Sequence, residues 1–255
     1  MIKGITFDLW DTVFIDDSDE PKRQAAGRPA KSIERRQLVH QSLSRHRAIE
    51  RAVVDSVYNA ADAAFRKVWH DQHVTWTVRE RLHIIFQALK IELPKAEVDE
   101  LVRLHEEMEL EFRPDFVPGV QEALKTLHHR YKMAVISDAI FSPGRCLRTL
   151  LGDEGLLGCF DAFFFSDEIG CSKPEPVVFR KAMEKLGLAA DEIVHIGDRE
   201  HNDVRGPRQV GMHCLLCTAA IDRGAANSQA DAIFNDYQKL PELIESLNRR
   251  IEGQE

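Results

Sequence analysis

Long apolar runs are missing from this chain of 255 residues. No stretch of about 18 consecutive apolar residues occurs, and the first residues lack the basic-then-apolar pattern of a secretory signal. We therefore expect no membrane span and no membrane partner, and the expected compartment is the cytoplasm. Hydrophobic residues still make up 44% of the chain, which is enough to build a packed interior.

Cysteine is also scarce, with five residues and no repeated spacing of cysteine pairs. An odd number without a pair pattern favours reduced thiols over a disulfide framework. Cys214 and Cys217 form a CxxC within HCLLC, an apolar run typical of a buried strand. Because no second CxxC exists to complete a zinc site, we interpret both residues as core thiols.

An excess of positive charge is absent, since the net charge is -8. Nucleic-acid binding depends on basic surfaces, so nucleic acid is not an expected partner. The segment from Glu20 to Arg51 is an exception, because its nine lysines and arginines outnumber its three acids. The segment therefore carries about +6 and the remainder about -14. We interpret it as a solvated helix face or a mobile loop in preference to a surface that steers anions.

Internal repeats and low-complexity segments are missing as well, so the organisation must come from hydrophobic periodicity. Short apolar runs that end in polar residues recur, and they are typical of buried parallel strands: GITFD, KMAVISD, AFFFSD, EIVHIGD, MHCLLC and a weaker DAIFND. Helical patterns lie between or after them, at Val120, Ala123, Leu124 and Leu127, at Phe179, Ala182 and Leu186, and at Leu243, Ile244 and Leu247. This alternation predicts an α/β fold with a doubly wound parallel sheet.

One region breaks the alternation. Between Phe14 and about Pro114 the sequence has no convincing strand, but it has helical faces: Leu82, Ile85, Phe86 and Leu89, then Val98, Leu101, His105 and Met108. We therefore predict an all-helical insert over residues 15–114 and a discontinuous α/β core over residues 1–14 and 115–255. RPDFVPG, with two prolines and a glycine, is interpreted as the linker that returns to the core.

Polar side chains follow or end four of the predicted strands: Asp8, Ser137, Lys173, and Asp198 with Asp203. The carboxyl ends of parallel strands face one crevice, so these groups should converge there. The three acids offer the oxygen ligands that Mg²⁺ prefers, and Lys173 adds a compact positive charge. A carboxylate beside a metal can attack phosphorus, while Ser137 and backbone N–H groups hold the phosphoryl oxygens.

Four motifs in this order resemble those of the haloacid dehalogenase-like superfamily of hydrolases: FDLWDTV, VISD, the lysine of GCSKPEPVVFRKAMEKLG, and HIGDREHNDVRGPRQVGM. The resemblance implies a Rossmann-like core and identifies the helical insert with the mobile cap of that family. It implies that Asp8 is the nucleophile, that Ser137 binds the phosphoryl group and that Lys173 neutralises charge on Asp8 and on the substrate. By the same resemblance Asp198 ligates Mg²⁺ directly, and Asp203 ligates the ion or orients its shell.

The sequence departs from the phosphatases of this family at two places. Trp10 stands where most of them have an acid that protonates the leaving group and later activates water. The backbone carbonyl of Trp10 can still serve as a metal ligand, whereas the side chain of Asp11 should point elsewhere in a structural role. Asp138 is the second departure, an extra carboxylate beside the phosphoryl site where many relatives have a neutral residue.

Three functional classes remain open on the sequence. The first is a Mg²⁺-dependent phosphatase that acts on a small phosphorylated metabolite through an aspartyl-phosphate. The second is a 2-haloacid dehalogenase, because dehalogenases of the superfamily typically have an aromatic residue at the position of Trp10. Asp198 favours the first class, since the dehalogenases usually lack an acid there. The third class is a non-catalytic protein that binds a phosphorylated ligand. No signal in the sequence indicates an oligomeric state.

Overall fold

Six parallel strands form the sheet in the computed structural model, which describes residues 1–253. In chain order they are β1 (Gly4–Phe7), β2 (Lys132–Ser137), β3 (Ala162–Phe165), β4 (Ile193–Gly197), β5 (His213–Cys217) and β6 (Ala232–Phe234). Their spatial order is β3-β2-β1-β4-β5-β6, so the order reverses where β1 lies beside β4. The crevice outside the carboxyl ends at such a reversal is where open α/β sheets bind ligands.

All six predicted apolar runs form strands, which confirms the predicted α/β fold with a parallel sheet. The runs are continuously apolar because helices cover both faces of the sheet. In β2, Met133 and Val135 pack into an apolar cluster on one face, whereas Ala134 and Ile136 pack into a different cluster on the other. This alternation follows from the two-residue period of a strand.

The helices described within residues 1–253 are α1 (Glu20–Ala25), α2 (Lys31–Ser44), α3 (Arg51–Gln72), α4 (Val78–Leu89), α5 (Lys95–Glu106), α6 (Met108–Glu111), α7 (Val120–Leu127), α8 (Gly144–Asp153), α9 (Ser166–Ile169), α10 (Pro176–Leu186), α11 (Gly206–Arg208) and α12 (Leu240–Glu252). A π-helical turn, Glu200–Arg205, precedes α11. Over the same residues we find no helix with both the length and the apolar character that crossing a bilayer requires.

The helices α1 to α6 all lie between β1 and β2, and α2 to α5 share an apolar cluster of their own. Val39 of α2, Tyr58 of α3, Leu82 of α4 and Leu101 of α5 are among its buried members. The helical face predicted from Val98 to Met108 is divided between two helices, because α5 ends at Glu106. Helices with a shared apolar cluster can pack as a unit beside the sheet.

The segments that connect these helices to the sheet run side by side. The backbone N–H of Ile15 donates a hydrogen bond to the carbonyl of Asp115 at 2.8 Å, and that of Val117 donates to the carbonyl of Val13 at 2.9 Å. Farther from the connection, Arg81 of α4 donates to the carbonyl of Ile140, in the loop after β2, at 3.1 Å. The helical region therefore touches the carboxyl end of the sheet as well as its own connecting segments.

The interpretation of the basic segment as a solvated face or mobile loop is wrong for three of its cations. Arg23, Lys31 and Arg35 are buried with relative exposures of 0%, 5% and 5%. Lys31 Nζ lies 2.7 Å from Asp19 Oδ1 and 3.0 Å from Glu109 Oε1. Glu109, more than 70 residues away in the sequence, and Asp19, just outside the segment, thus neutralise part of the local charge excess, which a charge count within the segment cannot reveal.

Candidate active site

The carboxyl ends of β1, β2 and β4 bring the predicted site residues to one crevice. Asp8 directly follows β1, and its backbone N–H donates to the carbonyl of Ile196 in β4 at 2.8 Å. Ser137 is the last residue of β2, and Asp198 directly follows β4. Asp8 and Lys173 line a cavity of about 330 Å³, to which the helical region also contributes side chains.

Lys173 joins two of the predicted acids. Its ammonium lies 2.9 Å from Asp8 Oδ1 and 2.5 Å from Asp203 Oδ1, and the side chain is almost fully buried. Burial opposes the charged form, but the charges of Asp203 and Asp8 outweigh burial and raise the pKa of Lys173. Lys173 is therefore a permanent cation that offsets negative charge at Asp8.

Asp203 is held by three groups. Its Oδ1 also lies 3.1 Å from His195 Nε2, and its Oδ2 accepts a hydrogen bond from the backbone N–H of Arg199 at 3.0 Å. Burial opposes ionisation of Asp203, yet Lys173 and His195 lower its pKa overall. Burial lowers the pKa of His195, so the neutral ring donates from Nε2 and accepts from the Thr6 hydroxyl at Nδ1, 2.8 Å away. Asp203 is thus a fixed carboxylate.

The last residue of β4 must be glycine for Asp203 to approach. A Cβ at Gly197 would lie 2.2 Å from Asp203 Cγ, well inside the closest approach of two carbon atoms. Because the conflicting atoms belong to a buried carboxylate held by hydrogen bonds, neither side could move away cheaply. Glycine is therefore required at position 197 of HIGD, because only it leaves room for Asp203 in the acidic cluster.

Asp8, Asp198 and Asp203 form a cluster that fits a divalent cation. Each offers an oxygen atom, and these atoms all lie within 4.8 Å of one another. Asp198 Oδ1 is buried without a hydrogen-bond partner among residues 1–253, which leaves it available to a ligand. Burial, followed by the charges of Asp203 and Asp8, raises the pKa of Asp198 to about 7. A bound cation would relieve this repulsion, and a carboxylate set suits Mg²⁺.

Ser137 and Asp138 lie at the end of β2, beside Lys173. The hydroxyl oxygen of Ser137 is buried and has no partner within the described chain, as expected of a group that binds a ligand. Asp138 Oδ1 accepts from the backbone N–H of Lys173 at 3.1 Å, and Oδ2 accepts from Asn202 Nδ2 at 3.2 Å. Burial, partly opposed by Lys173, raises the pKa of Asp138 to about 7. Asp138 therefore faces the site as well as bracing two of its loops.

Trp10 and Asp11 are placed differently in the turn after β1. Trp10 lines the cavity, and its ring lies 5.8 Å from that of Phe14. Asp11 has a left-handed backbone with φ of 54° and accepts a hydrogen bond from the backbone N–H of Asp16 at 3.0 Å. The predicted structural role of Asp11 is consistent with this contact, because the bond holds the turn closed.

Arg223 is a member of the site that the sequence analysis missed. Its Nε lies 2.6 Å from Asp198 Oδ2, and its Nη2 lies 2.5 Å from Asp11 Oδ2. Arg223 is in the loop after β5, in a stretch without a motif, so no spacing rule could have selected it. Arg35 was also missed, because it belongs to the basic segment, although it lines the cavity.

Comparisons with known proteins identify relatives of this chain. The family model of haloacid dehalogenase-like hydrolases matches residues 2–211. The mouse haloacid dehalogenase-like hydrolase domain-containing protein 3 is 32% identical over 147 residues, which is 57% of this chain and 54% of that protein. A glyceraldehyde 3-phosphate phosphatase of Methanocaldococcus jannaschii is 29% identical over 100 residues, 37% of this chain and 42% of that protein. The chain thus spans about half the length of these curated relatives.

Solved structures agree on the fold. A 2-haloacid dehalogenase from Pseudomonas syringae superposes with a TM-score of 0.69 at 22% identity, covering 97% of this chain and all of that chain. A phosphatase of the same superfamily from Thermococcus onnurineus gives a TM-score of 0.64 at 24% identity, covering 95% of this chain and 98% of the other. Identities this low support the fold alone. The family match over residues 2–211 shows that the chain belongs to the haloacid dehalogenase-like hydrolases.

Proposed function

We propose that this protein is a Mg²⁺-dependent phosphoric monoester hydrolase that acts on a small phosphorylated metabolite through an aspartyl-phosphate on Asp8. The observation that carries the proposal is the convergence of Asp8, Lys173 and Asp198 with the unpartnered hydroxyl of Ser137 at one end of the sheet. Relatives named as phosphatases, including that of Methanocaldococcus jannaschii, support it.

The reaction proceeds in two displacements at phosphorus. An Asp8 oxygen attacks the phosphorus atom and forms a bond to it, while the bond between phosphorus and the ester oxygen breaks. The ester oxygen leaves as an alkoxide or aryloxide and takes its proton from solvent, because Trp10 offers none. Lys173, 2.9 Å from Asp8, lowers the repulsion between the carboxylate and the phosphoryl group, and Ser137 donates a hydrogen bond to a phosphoryl oxygen. Water then attacks the phosphorus atom, and the bond between phosphorus and the Asp8 oxygen breaks. The proton that the water loses passes to solvent or to the released phosphate, and the Asp8 carboxylate is regenerated.

The acidic cluster is the proposed magnesium site. Asp8, Asp198 and the backbone carbonyl of Trp10 would hold the ion, and Asp203 would ligate it or orient its shell. The hydrogen bonds to both Asp203 oxygens favour the orienting role. When bound, Mg²⁺ supplies positive charge that offsets the repulsion between the carboxylates and the anionic substrate.

We also propose that residues 15–114 are a cap over a core of residues 1–14 and 115–255. The cavity supports this division, because it is lined both by Asp8 and Lys173 and by side chains of the helical region such as Arg35 and Trp69. A cap that closes over the substrate would exclude water during transfer to Asp8. The adjacent connecting segments at Ile15 and Asp115 are suited to act as its hinge.

Two other functions compete with the proposal. A 2-haloacid dehalogenase is favoured by the aromatic Trp10, but the buried Asp198 has no use in a displacement that needs no metal. A non-catalytic protein that binds a phosphorylated ligand is favoured by the lack of an acid at position 10. A screen of phosphate esters and 2-haloacids, each run with Mg²⁺ and with chelator, separates the three. We expect hydrolysis of phosphate esters that chelator abolishes, and hydrolysis of haloacids alone would overturn the proposal.

Asp198→Asn should weaken Mg²⁺ binding by roughly 10-fold or more, because the variant loses the charge of a direct ligand while keeping its shape. Isothermal titration calorimetry measures the affinity, and near-ultraviolet circular dichroism checks that the variant is folded. Asp231→Asn is a matched control, since that carboxylate pairs with Arg208 away from the cluster. Unchanged Mg²⁺ affinity in folded Asp198→Asn would rule out Asp198 as a ligand.

Arg223→Ala should have the opposite effect and tighten Mg²⁺ binding by roughly 3- to 10-fold, a modest gain because the guanidinium is partly exposed. Arg223 pairs with Asp198 Oδ2 at 2.6 Å, so its positive charge neutralises the carboxylate and repels a cation bound at the unpartnered Oδ1. The same calorimetry tests this, with Arg208→Ala as the control. Weaker binding in Arg223→Ala would mean that Arg223 supports the metal site instead of competing with it.

A further inference from the structure

Arg35 of α2 is a buried cation with unused hydrogen-bond donors. Its side chain is 6% exposed, and neither Nε nor Nη2 has a hydrogen-bond partner among residues 1–253. Arg35 lines the same cavity as Asp8 and Lys173. Leaving guanidinium donors buried and unpaired is costly, so a ligand that accepts from them would gain a strong interaction.

Phe141 fixes the orientation of this guanidinium. The central carbon of the Arg35 guanidinium lies 3.6 Å from the centre of the Phe141 ring. A guanidinium that stacks on an aromatic ring still projects its N–H groups within its own plane, where a planar acceptor can meet them. Phe141 belongs to the loop after β2, which directly follows Ser137 and begins with Asp138, so the contact couples α2 to the phosphoryl side of the cavity.

The acid that lies near Arg35, Glu109, does not accept a hydrogen bond from its guanidinium. Glu109 Oε1 lies 3.8 Å from Arg35 Nη2, which exceeds hydrogen-bond distance. Glu109 instead pairs with Lys31 at 3.0 Å and accepts a hydrogen bond from the Ser142 hydroxyl. Lys31 also pairs with Asp19, so its ammonium is satisfied by the protein. Unlike Lys31, Arg35 therefore keeps N–H donors without a hydrogen-bond partner among residues 1–253, although its charge lies near Glu109.

The shape of the cavity limits what Arg35 can bind. The phosphoryl group is already accounted for by Ser137 and Lys173, so Arg35 must meet another part of the ligand. The cavity holds about 330 Å³ and includes the aromatic side chains of Trp10, Trp69 and Phe141, so the ligand is small. A carboxylate presents two oxygens in one plane and matches the guanidinium fork, which a halide or a hydroxyl does not.

We propose that Arg35 binds a carboxylate of the substrate, which makes the substrate a small phosphorylated carboxylic acid. This inference rests on the proposed function, because it names the substrate class of the same cavity. Trp69 Nε1 is a second buried donor without a partner in the described chain, and it lines the same cavity. It is a second candidate donor to a substrate in this cavity.

Non-hydrolysable phosphonates test the inference without turnover. Phosphonoacetate and 3-phosphonopropionate carry a carboxylate, and their amides have nearly the same size without the charge. Calorimetry in the presence of Mg²⁺ should show that the wild type binds at least one acid roughly 10- to 100-fold more tightly than its amide. Arg35→Gln should bind acid and amide equally.

Arg36→Gln is the matched control, because Arg36 is the next residue along α2 and already pairs with Asn59 and Asp62. It should keep the wild-type preference for the acid. Arg35→Lys keeps the charge without the planar fork and should retain only part of the preference, which guards against a folding defect in Arg35→Gln.

The outcomes separate the inference from the proposed function. Equal affinity of the wild type for both acids and their amides overturns the role of Arg35, as does a folded Arg35→Gln that keeps the preference. If the preference for the acid depends on Arg35 but the protein hydrolyses no phosphate ester, the carboxylate site stands and the proposed phosphatase activity is overturned. Phosphate esters hydrolysed equally well with and without a carboxylate overturn the inference and leave the phosphatase standing.

Discussion

Asp8→Asn should eliminate hydrolysis of every phosphate ester, lowering kcat by a factor on the order of 10⁴ or more, because removing a covalent nucleophile removes the reaction path itself. The amide is nearly isosteric with the carboxylate but cannot form the acyl phosphate. Lys173 remains paired with Asp203 at 2.5 Å in the variant, so its ammonium keeps one partner. Steady-state hydrolysis of p-nitrophenyl phosphate with Mg²⁺ provides the measurement.

Asp191→Asn is the matched control, because Asp191 is exposed and distant from the sheet edge where the site lies. It should hydrolyse the ester at the wild-type rate. Beryllofluoride gives a second reading that does not depend on turnover, since it mimics an acyl phosphate on a carboxylate. With Mg²⁺ present, beryllofluoride should raise the midpoint temperature of thermal unfolding of the wild type but not that of Asp8→Asn. Equal protection of both proteins would exclude Asp8 as the nucleophile.

The strands were predictable because burial imposes a local signal. Each strand of a sheet covered on both faces must be almost entirely apolar, as in MAVI of β2 and LL of β5, and the polar residue that follows marks its end. The order of the strands across the sheet was not predicted, since the apolar runs carry no record of their neighbours. The division of one predicted helical face between α5 and α6 was also missed, because the same apolar spacing continues through the break at Glu107.

Part of the site was predictable because function places residues at strand ends, whereas Lys173 and Asp203 lie beyond the strand ends and were found through the motifs that contain them. Asp8, Ser137 and Asp198 could be found because each directly follows or ends an apolar run. Arg35 and Arg223 could not, because their roles depend on partners far along the chain. Arg223 and Asp11 are 212 residues apart, and only the folded path of the loop after β5 brings them together.

In the proposed function, Trp10 places an apolar side chain where most phosphatases of the family have a proton donor. Its indole has one N–H donor and no group that exchanges a proton near neutral pH. The ring lines the cavity beside Asp8, where the usual acid would face the leaving group. Other carboxyl groups line this cavity, and burial and neighbouring charges raise the pKa of Asp16 to about 6 and that of Asp138 to about 7.

Trp10 should make turnover depend steeply on the leaving group. General acid catalysis is typically worth about 10²- to 10⁴-fold, so the wild type should hydrolyse aryl and acyl phosphates faster than alkyl phosphates by a margin of this order. Trp10→Asp should raise kcat for alkyl phosphates more than for p-nitrophenyl phosphate, because only an alkoxide needs the proton. Trp10→Phe keeps the apolar wall and should leave the ratio unchanged. If the wild type hydrolyses both ester types equally fast, with chemistry limiting the rate, another acid such as Asp138 or Asp16 supplies the proton.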